Sequence, residues 1–206
     1  MHDLQLAVNL SGWRLFVRRR EDKAFLPVAE KIYQRDNYTC QYCAFQARQY
    51  QEIVNIDQNY RNNKLSNLIT ACCFCSQCLF IESVGLDEMG GGQLIYLPEM
   101  SQANLNSFCH VLFCAMGNGT GYQDSAQAIY RGFKFRSQQI ENKFGNSTSN
   151  PALFGQLILE HRAKHPELKI DDMLKDMRLL PSYVKFKIQL EAWAAAALEE
   201  LAEEAE

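Results

Sequence analysis

Apolar and polar positions follow two different rhythms along this chain. Up to about residue 100 the apolar residues come in short runs set between polar loops. Trp13-Arg14-Leu15-Phe16-Val17 alternates weakly and predicts a short strand, followed by a basic turn and a helix over about 26–34. Tyr50 to Ile56 has strand character, Asp57 to Asn63 is an Asn-rich loop, and Asn67-Leu68-Ile69-Thr70 runs extended ahead of a helix expected over 76–82. Gly90-Gly91-Gly92 breaks the chain before a strand over 93–97, which Pro98 stops.

Beyond residue 100 three- and four-residue steps take over, and the pattern is helical. Ser101 is placed to cap a helix in which Leu105, Phe108, Leu112 and Ala115 share a face, with Gly117 and Gly119 as stop signals. One further helix sets Ile129, Phe133, Ile140 and Phe144 on a stripe ending at Gly145, and Asn150-Pro151 opens another through Phe154, Leu157 and Ile158. Asp171 is placed to cap a short helix holding Met173, Leu174 and Met177, closed by Pro181. A last helix from about Ser182 carries Phe186, Leu190, Trp193, Ala197 and Leu201 on one face. These elements predict an α+β protein divided into residues 1–100 and a mainly helical region, 101–206, packed on the first part or docking a partner.

Composition narrows the function classes. With 206 residues, 47% of them hydrophobic, the chain can build a sizeable core. The N-terminus lacks a basic leader and an apolar h-region, and no stretch approaches the roughly 20 apolar residues of a membrane span, so a cytoplasmic setting is expected. A net charge of −3 argues against a dedicated nucleic-acid binder. The charge is uneven, however: Arg18, Arg19, Arg20 and Lys23 cluster near the start, and the last sixteen residues carry Glu but no basic residue.

The chemistry is concentrated in eight cysteines. Cys40-Gln41-Tyr42-Cys43 and Cys72-Cys73-Phe74-Cys75 are two Cys-x-x-Cys pairs separated by twenty-eight residues. Two residues inside a tight turn aim both thiolates at one ion, and a second turn completes a tetrahedron with no open water position. This is the pattern of a structural zinc site. In a reducing compartment it is favoured over disulfides. Cys40, Cys43, Cys72 and Cys75 are the expected ligands; Cys75 and Cys78 form an overlapping Cys-x-x-Cys and are the rival second pair. Cys109, Cys114 and His110 fall on the helix after Ser101 and read as structural.

The stretch Arg35-Asp36 … Cys40-x-x-Cys43 … Ile53-Val54-Asn55-Ile56 … Asn67-Leu68 … Cys72-x-x-Cys75 resembles the zinc-containing branch of the HNH endonucleases over residues 31–80. The resemblance implies an HNH-like, treble-clef or ββα zinc module with small β elements. Its chemistry is missing: the positions of the family's Asp-His pair fall on Val54 and Asn55, and Ser76 follows the last cysteine. Valine cannot ligate a metal, and an amide is no base near neutral pH. Of the family's functional residues only Asn67 matches besides the cysteines.

Further strings, among them Gln46-Ala47-Arg48-Gln49-Tyr50-Gln51-Glu52, Asn62 to Leu68 and Phe133-Lys134-Phe135-Arg136-Ser137-Gln138, resemble a family of subunits of the bacterial Dot/Icm type IVB secretion apparatus. That resemblance implies a non-catalytic coupling-complex subunit held peripherally at the inner membrane. It also implies the coupling ATPase DotL and other coupling-complex subunits as partners, a role in effector export, and no nucleic acid. Two alternatives stand beside it: a metal-dependent nuclease rearranged around Asp57 and Asn67, and a nucleic-acid binder using Arg18, Arg19, Arg20 and Lys23.

Overall fold

The computed structural model describes every residue except 87–88, 120, 165–173 and 204–206. The described elements run α1 (Leu10–Arg20), α2 (Leu26–Arg35), β1 (Gln51–Asn55), β2 (Leu68–Cys72), one-turn α3 (Cys73–Ser76), β3 (Gly92–Tyr96) and α4 (Gln102–Gly117). They continue with α5 (Gln123–Phe135), α6 (Ser137–Phe144), α7 (Pro151–Lys164), β4 (Met177–Pro181) and a C-terminal helix (Lys187–Glu203). The mixed α+β class is as expected, with two small sheets and a helical C-terminal region.

Both sheets are antiparallel pairs. β1 and β2 pair from Gln51 with Cys72 to Asn55 with Leu68. β3 pairs with β4, Gly92 with Pro181 and Tyr96 with Met177, so strands from the early and late chain meet. A Cβ on Gly92 would lie 2.5 Å from the Leu180 carbonyl oxygen, which accounts for glycine at that crossing. A single buried cluster joins Leu4, Trp13, Phe16, Cys40, Phe74, Phe80, Leu94, Leu105, Phe154, Leu179 and Phe186, drawing on both stretches of the sequence.

The expected strand over 13–17 is a helix. Asn9 caps it, its Oδ1 accepting from Gly12 N at 2.9 Å, and Gly12, Trp13, Phe16 and Arg19 form its buried stripe at helical spacing. The stripe begins upstream of the five residues that seemed to alternate. Met177–Pro181, expected at the end of a helix, is strand β4, because β3 requires a partner along its edge. The earlier part of that expected helix, Asp171 and Met173, lies outside the described residues.

The single helix expected through Ile129 and Ile140 is two. Arg136 turns its carbonyl to accept from Tyr96 N of β3, and the chain bends there. Ile140 is consequently core while Ile129 stays exposed. Over 76–82 the chain forms the end of α3 and two 3-10 turns in place of a helix. The last helix, expected from about Ser182, begins at Lys187; Phe186 is buried in the turn before it, the helix half-buries Leu190 and Trp193, and Leu201 is 63% exposed, so the predicted face makes contact only along its first half.

Candidate metal centre

The two cysteine turns are built differently. Cys40 to Ala44 is a tight turn closed by Cys40 N donating to Phe45 O at 2.8 Å and Ala44 N donating to Cys40 O at 3.0 Å. Ala44 adopts φ +63°, the left-handed conformation that reverses the chain after the second thiol. The other pair lies where β2 runs into α3, with Cys72 as the extended residue before the turn and Cys75 inside it. Hydrogen bonding between Gln41 N and Thr70 O, 2.9 Å, ties the first turn to β2 and sets the pairs face to face.

The sulfurs of Cys40, Cys43, Cys72 and Cys75 all lie within 4.8 Å of one another, and all four residues are buried. Cys43 Sγ and Cys72 Sγ are 3.6 Å apart. A tetrahedral zinc site with bonds of about 2.3 Å has sulfur–sulfur edges of about 3.8 Å, so the donor set has the size and chemistry for such an ion. Burial, followed by the hydrogen bonds shared with Cys40 and Cys43, pushes the thiols of Cys72 and Cys75 up. Burial also opposes ionisation of Cys40, but donation from Cys43, Cys72 and Cys75 overcomes it and lowers that thiol. A metal held here would take its sulfur ligands as thiolates, so its binding would be coupled to release of their protons.

The remaining cysteines stand apart from this group. Cys78 is buried, but its Sγ donates to Phe74 O at 3.2 Å. Cys73 is half-buried, Cys109 is buried and Cys114 exposed; none of the eight forms a disulfide. His110 was read from the sequence as structural, and it lies against the cluster with Nε2 3.4 Å from Cys72 Sγ. Its ring is stacked between Phe45 and Phe74 at centroid distances of 3.6 and 4.2 Å. Burial lowers His110 to about 3, so the ring is neutral; facing a metal-bound Cys72 thiolate, which can only accept, it would carry its proton on Nε2. Trp193 of the C-terminal helix closes the cover, 4.7 Å from Phe45, and donates from Nε1 to Gln49 O at 3.0 Å.

The positions that carry chemistry in the resembled nucleases are committed to internal bonds. Val54 is fully buried in the core. Asn55, also fully buried, accepts from Arg19 Nη1 at 2.7 Å and donates to Asn59 O at 3.0 Å and Asn62 O at 2.8 Å. Arg19 also donates to Ile53 O and Asn63 Oδ1, and its guanidinium lies 4.8 Å from the Phe25 ring centre and 5.2 Å from that of Tyr60. It is thus turned inward, away from exposed Arg18 and Arg20.

Asn67 donates to Asp57 Oδ1 at 2.8 Å and accepts from Asp57 N at 3.1 Å; Asp57 in addition binds Asn62 Nδ2 and Asn59 N. The Asn62 amide, helped by that of Asn67, holds the Asp57 carboxyl below its ordinary range against the opposing effect of burial. Ser76 is buried, its hydroxyl towards Cys73 O at 3.4 Å. Nothing in the sequence assigns Asn55 this locking role, and the polar loop beside it is the available signal.

Against known proteins, no family model matches the chain. Type 4 apparatus protein DotN of Legionella pneumophila is 58% identical over 201 residues, covering 98% of this chain and 94% of that one. The chain belongs to the DotN family. Resemblance to a secretion-apparatus subunit, read from strings between Gln46 and Gln138, thus extends over nearly the whole length. In this DotN-family protein no described helix is long and apolar enough to cross a membrane.

Proposed function

We propose that this DotN-family chain is a non-catalytic structural and adaptor subunit of the Dot/Icm type IVB secretion apparatus. In this reading it binds the coupling ATPase DotL and other coupling-complex subunits on the cytoplasmic side of the inner membrane and supports effector export. Near-full-length identity to a protein named as a type 4 apparatus component carries the reading. The exposed second half of the C-terminal helix, with Leu198 69% and Leu201 63% exposed, supports it by offering apolar surface for contacts.

Cys40, Cys43, Cys72 and Cys75 hold one structural zinc in this proposal, within an HNH-like module. Bound zinc would supply folding free energy, on the order of 10–16 kcal/mol in small zinc modules. The chain's own residues orient the thiolates: the Cys40–Ala44 turn and the β2–α3 junction position them, while Phe45, Phe74 and Trp193 exclude water.

Co-purification of the zinc-loaded chain with the coupling ATPase tests the adaptor role, and an unbound monomer in that mixture refutes it. The nuclease reading is tested by incubation with plasmid DNA and magnesium, manganese or nickel; cleavage that disappears in Asp57→Ala would establish it in place of the adaptor reading.

A further inference from the structure

We propose that Gln102 and Asn106 form a polar relay by which the backbone of β4 positions the metal centre, with Asn106 donating to the Cys75 sulfur. The inference rests on the zinc reading above. In the β3–β4 pair, Leu94 faces Leu179, but Leu94 N donates away from β4 to Ser149 O at 2.8 Å. Leu179 correspondingly presents its own N–H and C=O to the other edge of β4. There the Gln102 side chain takes both groups: Leu179 N donates to Oε1 at 2.8 Å, and Nε2 donates to Leu179 O at 2.9 Å.

This contact decides the orientation of everything beyond it. A backbone N–H can only donate, so Gln102 must turn its oxygen to Leu179 N. Its second Nε2 proton then goes to Asn106 Oδ1 at 2.9 Å. Asn106 is left with Nδ2 towards the cysteines, 3.1 Å from Phe74 O, 3.2 Å from Cys75 Sγ and 3.8 Å from Cys78 Sγ. Phe74 O, which can only accept, independently requires the same orientation. Gln102 is 2% exposed and Asn106 is fully buried, so water does not compete.

His110 follows one turn further along α4 and presents its Nε2 to Cys72. Residues 102, 106 and 110 thus make a polar stripe on the buried face of α4, directed at the second cysteine pair. Donors of this kind withdraw charge from a thiolate and fix its direction, and losing them typically costs about 10–100-fold in metal affinity. Asn106 and Gln102 are positioning residues: one touches a ligand sulfur, and the other acts through it.

The test uses the full chain loaded with zinc, cobalt or cadmium-113. Asn106→Leu should weaken zinc binding about 10–100-fold in competition with a chromophoric chelator and move the sulfur-to-cobalt charge-transfer band to lower energy. Gln102→Glu touches no sulfur, yet should move both readouts in the same direction, because a carboxylate accepts from Leu179 N but offers no proton to Asn106.

Unchanged affinity and band position in folded variants overturn the relay. A measurement on the wild type needs no variant to fold: the Asn106 side-chain amide proton should show scalar coupling to bound cadmium-113, and its absence overturns the proposal. Failure of the wild-type chain to take up any of these metals overturns the zinc reading itself, an outcome distinct from a wild type that loads normally and variants that match it.

Discussion

Replacing Asn55 by Ala is the sharpest test of what stands where the resembled nucleases keep their base. The amide makes three bonds with no exposed surface: one from the buried guanidinium of Arg19 and two to loop carbonyls of Asn59 and Asn62. A bond to a charged partner contributes about 1.5–3 kcal/mol and a neutral one about 0.5–1.5 kcal/mol, so the substitution should cost about 2.5–6 kcal/mol. Urea unfolding of zinc-loaded protein at fixed free zinc reads this directly. A double-mutant cycle with Arg19→Met should return about 1.5–3 kcal/mol for the pair. Asn55→Asp separates the contributions, since it keeps the acceptor for Arg19 but sets a carboxylate oxygen against two carbonyls; its cost should be smaller than that of Ala. An Ala variant within about 1 kcal/mol of wild type, or a coupling energy near zero, would refute the argument that Asn55 locks the 57–63 loop.

Other perturbations address other parts of the fold. Cys72→Ser and Cys75→Ser should each lose bound zinc while Cys78→Ser keeps it, as measured by metal content, because a serine hydroxyl repeats the Cys78 bond to Phe74 O. Gly155→Ala places a Cβ 2.5 Å from the Glu82 Cα and should lower stability by about 1–3 kcal/mol, read by thermal melting. Burial raises the Glu82 carboxyl to about 7, from an ordinary value of 4.5, against the opposing bond from Asn9 N. Its contribution is therefore full below about pH 4.5, falls as pH rises towards 7 because only the unfolded chain has lost the proton, and is flat above; the loss amounts to at most about 3 kcal/mol. Glu82→Gln should remove that slope from unfolding curves taken across this window, and parallel profiles for the two proteins would contradict it.

Local chemistry in this chain was legible where the sequence alone enforces it. A Cys-x-x-Cys turn dictates its own geometry, so Cys40, Cys43, Cys72 and Cys75 could be named in advance, and the structure brings their sulfurs together. Ser101 and Asn150 likewise cap α4 and α7 with bonds to Asn104 N and Leu153 N, since capping depends on neighbours within one turn. What escaped depends on residues far away in sequence. Met177 to Pro181 has apolar spacing compatible with a helix, and only pairing with Gly92 to Tyr96 makes it a strand. The bend at Arg136 exists because Tyr96 N, forty residues earlier, takes its carbonyl. Gln102 and Asn106 were hidden for the same reason: polar residues on an apolar helical face signal a buried partner without saying which element supplies it.

The positions matched to the resembled nucleases and the cysteine cluster bear on the same question of how this protein acts. Hydrolysis at a metal needs lone pairs aimed into an open cleft and a base with reach to water. Here the lone pairs of Asn55 and Asn67 face Arg19 and Asp57, Val54 is packed, and Ser76 is buried against its own turn. Val54, Asn55 and Asn67 hold the β1–β2 hairpin and its loop, and Ser76 bonds within the α3 turn that carries Cys75. A hairpin stiffened from within and a cysteine cluster walled by α4 and Trp193 hold the surface around them in one shape. Recognition of a partner by a preordered surface requires no ordering on binding, an advantage for the adaptor role proposed above.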